Sequence, residues 1–247
     1  MRNLFLSLVL FVFALSLQAQ TKANADSAYS KEKYEEAAKI YEQLLQKGED
    51  ISIFYNLGNA YYRIGDIPRA ILNYEKALLR DPGNADVRFN LALSRSKTID
   101  KIPDEGEMFF VSWTKALINN FSADEWAEIA LIAMSFGLVL LLFYLLNTRV
   151  VVRKVGFFSA ILMLLIVLLA NVFAKVQRSQ IENATGAIIM NTTNVKSTPN
   201  ESGTTLFLLH GGTKVEITDA SMTHWKEIAL SDGKKGWVMY HKLEQIR

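Results

Sequence analysis

The chain has 247 residues, no cysteine and a formal net charge of +2, and half of its residues are apolar. Without cysteine there are no disulfides, thiolate metal sites, iron–sulfur clusters or cysteine nucleophiles. The balanced charge gives no sign of a polyanion binder, so nucleic acid is not an expected partner. A mean hydropathy above zero directs attention to membrane segments.

Arg2 is a short positive start, Leu4–Leu17 an apolar run of fourteen residues, and Leu-Gln-Ala-Gln at 17–20 offers Ala19 or Gln20 as a cleavage point. Residues 1–20 therefore read as a secretory signal peptide, with an uncleaved anchor as the alternative. Either one places the following segment on the far side of a bacterial inner membrane.

Residues 21–101 are polar, charged and helix-friendly. From Ile51 to Asn84 they fit the tetratricopeptide (TPR) pattern, with Phe54, Leu57-Gly58, Tyr61, Ala70, Tyr74, Ala77 and Pro82 at its fixed places. Gly58 and Ala70 are small because two antiparallel helices touch there, and Gly65-Asp66 turns the chain between them. Tyr34, Ala37, Tyr41 and Leu44 repeat the second half one period earlier, with Ala25 in the glycine place. Residues 84–93 repeat the first half once more, as a capping helix. The segment is thus two repeats plus a cap. Its concave face takes Tyr55, Asn56, Asn59, Tyr62 and Arg63 from the first helix of the second repeat. These residues are the candidate protein-binding site, a groove for an extended peptide. Lys22 and Asn56 stand where some TPR domains hold a C-terminal carboxylate, but Asp26, Asp86 and Asn90 fill the other places, and acidic neighbours disfavour a buried anion.

Residues 102–125 form a juxtamembrane amphipathic segment. Within it Phe109, Phe110, Trp113 and Leu117 share a helical face, which suits either the outer membrane interface or packing under the repeats. Trp126–Leu146 carries one charge, Glu128, and Val155–Ala174 carries none, so each is long enough to span hydrocarbon. Ser122-Ala-Asp-Glu125 reads as a capping box ahead of the first span. Residues 147–154 form a basic loop whose Arg149, Arg153 and Lys154 determine topology: short positive loops stay cytoplasmic, which leaves both large regions periplasmic. Ala133/Gly137 and Gly156/Ala160 are small pairs that let helices approach, within one hairpin or between two copies.

After a linker at 175–185, residues 186–247 turn to β-branched residues, glycine and alternation. Five strands are expected, at 186–192, 206–210, 214–220, 225–230 and 236–240, closing into a small barrel. Gly211-Gly212 and Ser231-Asp-Gly-Lys supply the turns, and Trp225 and Trp237 are expected in the core. The succession of Asn-Val-Lys-Ser-Thr-Pro, Leu206-Phe-Leu-Leu, Gly212-Thr-Lys-Val, Trp225-Lys-Glu-Ile and Gly236-Trp237-Val resembles the bacterial SH3-like domain. The fold class is therefore multi-domain: an all-α TPR helical repeat, a two-helix transmembrane hairpin and an all-β SH3-like small barrel.

No nucleophile elbow, phosphate loop or metal-spaced histidine pair is present, and His210, His224 and His241 all fall at turns or strand ends of the last domain. No enzyme activity and no cofactor are expected. The order of signal, TPR, hairpin and SH3-like domain resembles the BatE-type family of the Bacteroides aerotolerance operon over essentially the whole chain. That resemblance implies a periplasmic scaffold on the inner membrane, with von Willebrand A-domain membrane proteins of the same operon as partners and a role in oxygen or envelope stress. The alternative is a wall-binding protein whose SH3-like domain holds peptidoglycan.

Overall fold

The computed structural model describes residues 22–48, 50–103, 106 and 108–247; the signal-peptide segment lies outside them. Two compact units emerge. One joins the repeat helices, up to Leu78 and again from Asn84 to the 103 region, with the C-terminal sheet from Thr185. The other holds Leu79–Gly83 and Gly106–Ala184.

The first unit begins with five helices: α1 (22–30), α2 (Tyr34–Leu45), α3 (Ile51–Ile64), α4 (Ile67–Arg80) and α5 (Ala85–Ser96). Their ends follow local chemistry. Asp50 caps α3 by accepting from the Ser52 N–H at 2.7 Å, and Asn84 caps α5 by accepting from Val87 at 3.1 Å. Gly65 closes α3 in the left-handed conformation at φ 92°, where its missing Cβ removes the steric cost. Glu32 takes the corresponding turn between α1 and α2 at φ 60° with a side chain present, so the weaker repeat copies the geometry of the stronger one without its best residue.

The small-residue positions are where the helices meet. A Cβ added to Gly58 would lie 2.6 Å from the Tyr74 ring, and Ala25, Ala37, Ala60, Ala70 and Ala77 have no exposed surface. Tyr41 and Tyr74 fill the space beside them at 1% exposure. Dense packing of this kind leaves no room for a larger side chain.

The sheet has seven antiparallel strands: β1 (Gly186–Ile189), β2 (Thr193–Lys196), β3 (Thr205–Leu209), β4 (Lys214–Asp219), β5 (Trp225–Ala229), β6 (Lys235–Met239) and β7 (Leu243–Gln245). Their order is β3-β2-β6-β5-β4-β1-β7. Irregularities after Val195 and after Ile217 bend it. Ala187, Ile189, Val195, Leu209, Val215, Ile217, Ile228 and Val238, with Leu243 beside them, bring residues of all seven strands into one core. The expected closed barrel of five strands is corrected in two respects. β2 and β7 add to the five, and the sheet is open, with β3 and β7 as its edges. β2 escapes notice because Thr193-Asn-Val-Lys carries one buried apolar residue, and β7 because it is three residues long after a turn at Tyr240–Lys242. Trp225 and Trp237 are half-buried instead of sitting in the core.

The second unit contains α6 (Phe109–Ile118), α7 (Ala123–Leu146) and α8 (Val150–Glu182). The capping box is formed: Ser122 accepts from Glu125 N–H, and the Glu125 carboxylate accepts from Ser122 N–H. Helices α7 and α8 are long and apolar enough to cross a bilayer. In their most apolar stretches only 11% and 6% of residues are buried, whereas the core helix of a water-soluble domain hides most of its apolar side chains. The turn between them is shorter than the expected basic loop. It comprises Asn147 to Arg149, with the Asn147 carboxamide accepting from Arg149 N–H at 2.9 Å, and Arg153 and Lys154 lie inside α8. α8 also runs eight residues beyond its expected end at Ala174, through a polar stretch of good helix formers. The small residues serve the hairpin itself. A Cβ on Gly156 would meet the Leu140 carbonyl oxygen at 2.8 Å, and one on Gly137 would meet Met163 at 3.2 Å.

Candidate functional site

Helices α1, α3 and α5 line one side of the repeat module, and polar side chains link them at intervals of about one repeat. Lys22 donates to the Ser52 hydroxyl at 2.6 Å. Asp26 accepts from Asn56 at 3.3 Å and from the Tyr41 hydroxyl. Asn59 accepts from the Tyr74 hydroxyl at 2.7 Å and from Asn90 at 2.8 Å, and Asn90 also reaches the Tyr55 hydroxyl at 3.3 Å. Four of the five residues expected on the concave face are half-buried, and Arg63 is exposed. Tyr55, Asn56 and Asn59 thus belong to one hydrogen-bonded row. Two of the places that would hold a carboxylate are engaged by neighbours: Asp26 and Asn56 bond each other.

Tyr62 and Arg63 stand apart from that row. The Lys97 ammonium lies 4.1 Å from the Tyr62 ring centroid. Arg63 donates to the Tyr34 hydroxyl at 2.6 Å, and its guanidinium lies 4.9 Å from the Tyr34 ring centroid. These contacts hold an aromatic ring and a guanidinium at the surface in defined positions. Burial, and then the bond to Asp26, pushes the Tyr41 phenol up, and burial likewise raises the Tyr74 phenol, its largest cause. Both therefore remain protonated donors throughout the ordinary pH range, which keeps the row intact.

The opposite side of the module meets the sheet. Glu75 on α4 has a 7% exposed side chain and is held by Arg95 on α5 and by Lys214 on β4, the latter at 2.8 Å. Asp100 receives the His210 N–H at 2.7 Å and the Thr213 hydroxyl at 2.6 Å, and lies 2.8 Å from the His210 ring Nδ1. Burial raises the Asp100 carboxyl, but the bonds from His210 and Thr213 outweigh it and hold the group below the ordinary carboxylate range. The Gly211-Gly212 turn fits between these elements. Cβ atoms there would lie 2.9 Å from Pro68 and 2.8 Å from Thr98, and Gly212 has φ 94°. Ile102 packs against the sheet core.

An open cleft of about 460 Å³ lies on this side, with Phe54, Leu57 and Leu72 as apolar lining and Arg69, Lys76 and Arg247 as cations. Its acids are engaged: Glu42 accepts from Tyr61, and Glu244 pairs with Lys76 at 3.4 Å. Among the described residues no three of His, Asp and Glu gather in a way that would hold a metal ion.

Sequence reasoning missed the Glu75 and Asp100 contacts. Lys214 lies 139 residues from Glu75 and His210 110 residues from Asp100, and no spacing rule connects them. The one available signal was Gly211-Gly212, whose smallness serves a turn and a close approach together.

Residues 51–84 match the tetratricopeptide repeat family model. No curated protein matches the chain. The matched segment runs from the start of α3, through α4, to the cap of α5 and carries all five concave-face candidates. The chain therefore contains a TPR, a class of repeat that generally mediates protein–protein contact, together with two apolar helices compatible with a two-pass membrane protein and an antiparallel sheet.

Proposed function

We propose that this chain is a non-enzymatic membrane adaptor, held by the α7–α8 hairpin and binding an extended segment of a partner protein along the α1–α3–α5 surface. The observation that carries the reading is the row of half-buried amides and phenols beside a positioned tyrosine and arginine. Asn56, Asn59 and Asn90 offer donors and acceptors to a peptide backbone, while Tyr62 and Arg63 are the residue types that dominate binding energy at interfaces. Arg149 in the turn, with Arg153 and Lys154 just after it, favours a cytoplasmic turn, and so an inner-membrane protein with both large regions periplasmic.

The sequence pattern of its strands and turns supports an SH3-like type for the sheet, as an open variant. The order of modules resembles the BatE-type aerotolerance family. On that resemblance the partners are envelope proteins, von Willebrand A-domain membrane proteins foremost, and the process is tolerance of oxygen or envelope stress.

The test is recovery of partners from detergent-solubilised membranes by the full chain carrying Tyr62→Ala and Arg63→Ala. A loss of about 2 kcal/mol weakens binding roughly thirtyfold and is visible in such a recovery. The expected result is reduced recovery from protein of unchanged helicity. Full recovery of every partner by correctly folded variant protein would overturn the assignment of this surface. Retention of purified sacculi by the wild-type chain, without protein partners, would favour the wall-binding alternative.

A further inference from the structure

Helix α6 carries three distinct faces. At about 100° per residue, Phe109, Trp113, Leu117 and Phe110 fall within one sector. They are 83%, 62%, 37% and 62% exposed. Val111 and Ile118 lie roughly opposite and are half-buried and buried, so that is the face α6 turns toward its own chain. Ser112 and Lys115 occupy the third sector. The aromatic face is therefore separate from the packed one.

The end of α6 is fixed to the hairpin. The Ile118 carbonyl accepts from the Trp126 indole N–H at 2.9 Å and from the Gln177 carboxamide at 3.0 Å, and Gln177 donates also to the Asn119 side chain at 3.2 Å. Gln177 is 2% exposed. Trp126 packs edge-on against Phe121 and Phe173, each with ring centroids 5.0 Å apart. This knot joins the C-terminus of α6, the first turn of α7 and the part of α8 where apolar residues give way to polar ones. Such a level matches the boundary between hydrocarbon and headgroups, where tryptophan is enriched and charged residues resume.

We propose that the aromatic face of α6 lies in the acyl–headgroup boundary of the bilayer that α7 and α8 cross, so that the chain holds the membrane by an interfacial helix as well as by its spans. The inference rests on the membrane reading of the hairpin and deepens it. The occupant is lipid because the C-terminus of α6 is tied to the hairpin at the level where its apolar helices turn polar, and because the residues of the face suit a half-apolar layer. Ser112 and Lys115 then face the headgroups and water.

The absence of cysteine makes a direct test available. Single changes Phe109→Cys, Ser112→Cys, Trp113→Cys and Lys115→Cys in the full chain are spin-labelled in vesicles of phosphatidylcholine and phosphatidylglycerol. Collision with oxygen, which concentrates in acyl chains, is compared with collision with a water-soluble nickel chelate. Leu138→Cys, in the middle of α7, reports on the span. The expected result is several-fold oxygen preference at 109, 113 and 138, with the reverse at 112 and 115. Nickel preference at all four α6 sites with oxygen preference at 138 would overturn the inference and leave the two-pass reading standing. Low collision with both agents at 109 and 113 would mean that protein covers the face, a partner or second copy, and would overturn it too. Nickel preference at 138 would overturn the two-pass reading and the inference with it.

Discussion

Asn59 and Glu75 lie on two helices of the same repeat, and their surroundings differ in kind. Asn59 is a half-buried neutral amide whose two partners, Tyr74 and Asn90, belong to the same repeat module. Glu75 is a buried carboxylate whose partners come from α5 and from the sheet. A neutral hydrogen bond at a wet surface contributes about 1 kcal/mol and can be exchanged for one to a peptide or to water. A buried charge tolerates no such exchange, because a carboxylate without its cations keeps the full cost of leaving water. One side of the module therefore carries exchangeable neutral hydrogen bonds, and the other a buried charge held jointly by repeat and sheet.

The largest test of this contrast removes both cations. Arg95→Ala with Lys214→Ala strands Glu75 and should cost about 3–5 kcal/mol. Asn90→Ala on the other side should cost about 0.5 kcal/mol, since water can replace its bonds. Denaturant unfolding of the full chain in nanodiscs, followed by tyrosine and tryptophan fluorescence, measures both. Equal costs would remove the distinction between the two sides.

Ala70 lies between the sides, with no exposed surface. Ala70→Leu should overpack the helix pair and cost about 1–3 kcal/mol. It should loosen binding and sheet attachment together, where the cation pair variant acts on attachment alone. An unchanged unfolding midpoint would contradict the helix register.

The smallest effect concerns acid. The Asp100 carboxyl is depressed in the folded protein, so it binds its proton less readily than in the unfolded chain. Its contribution to stability is complete above the unfolded value, about pH 4, and is lost as pH falls through the folded value. At neutral pH Asp100→Asn should therefore lower the melting temperature, and the gap from wild type should close below about pH 4. A gap independent of pH would show that the bonds from His210 and Thr213 do not depend on the charge.

Much of this was legible in the sequence. Gly58, Ala70 and Tyr74 announce a helix pair because close packing admits few alternatives at those spacings, and Ser122 and Glu125 announce a helix start through local bonds. Strands β2 and β7 were not legible, because three or four residues with little alternation carry too weak a period. Nor was the joining of repeats to sheet. Glu75, Asp100 and Ile102 look like ordinary members of a charged helical segment until folding brings them to Lys214, His210 and the sheet core. Of the candidate site, the residues on α3 were identifiable from repeat register, while their bonds to Asp26, Tyr74 and Asn90 depend on neighbouring helices.

The most direct test of the central claim places a photoreactive amino acid at Tyr55 or Tyr62 on the α1–α3–α5 side, and at Leu206 or Leu208 on the β3 edge, in cells expressing the full chain. Discrete covalent adducts with membrane or envelope proteins are expected from positions 55 and 62. Adducts from 206 and 208 with none from 55 and 62 would contradict it and move the binding surface to the sheet.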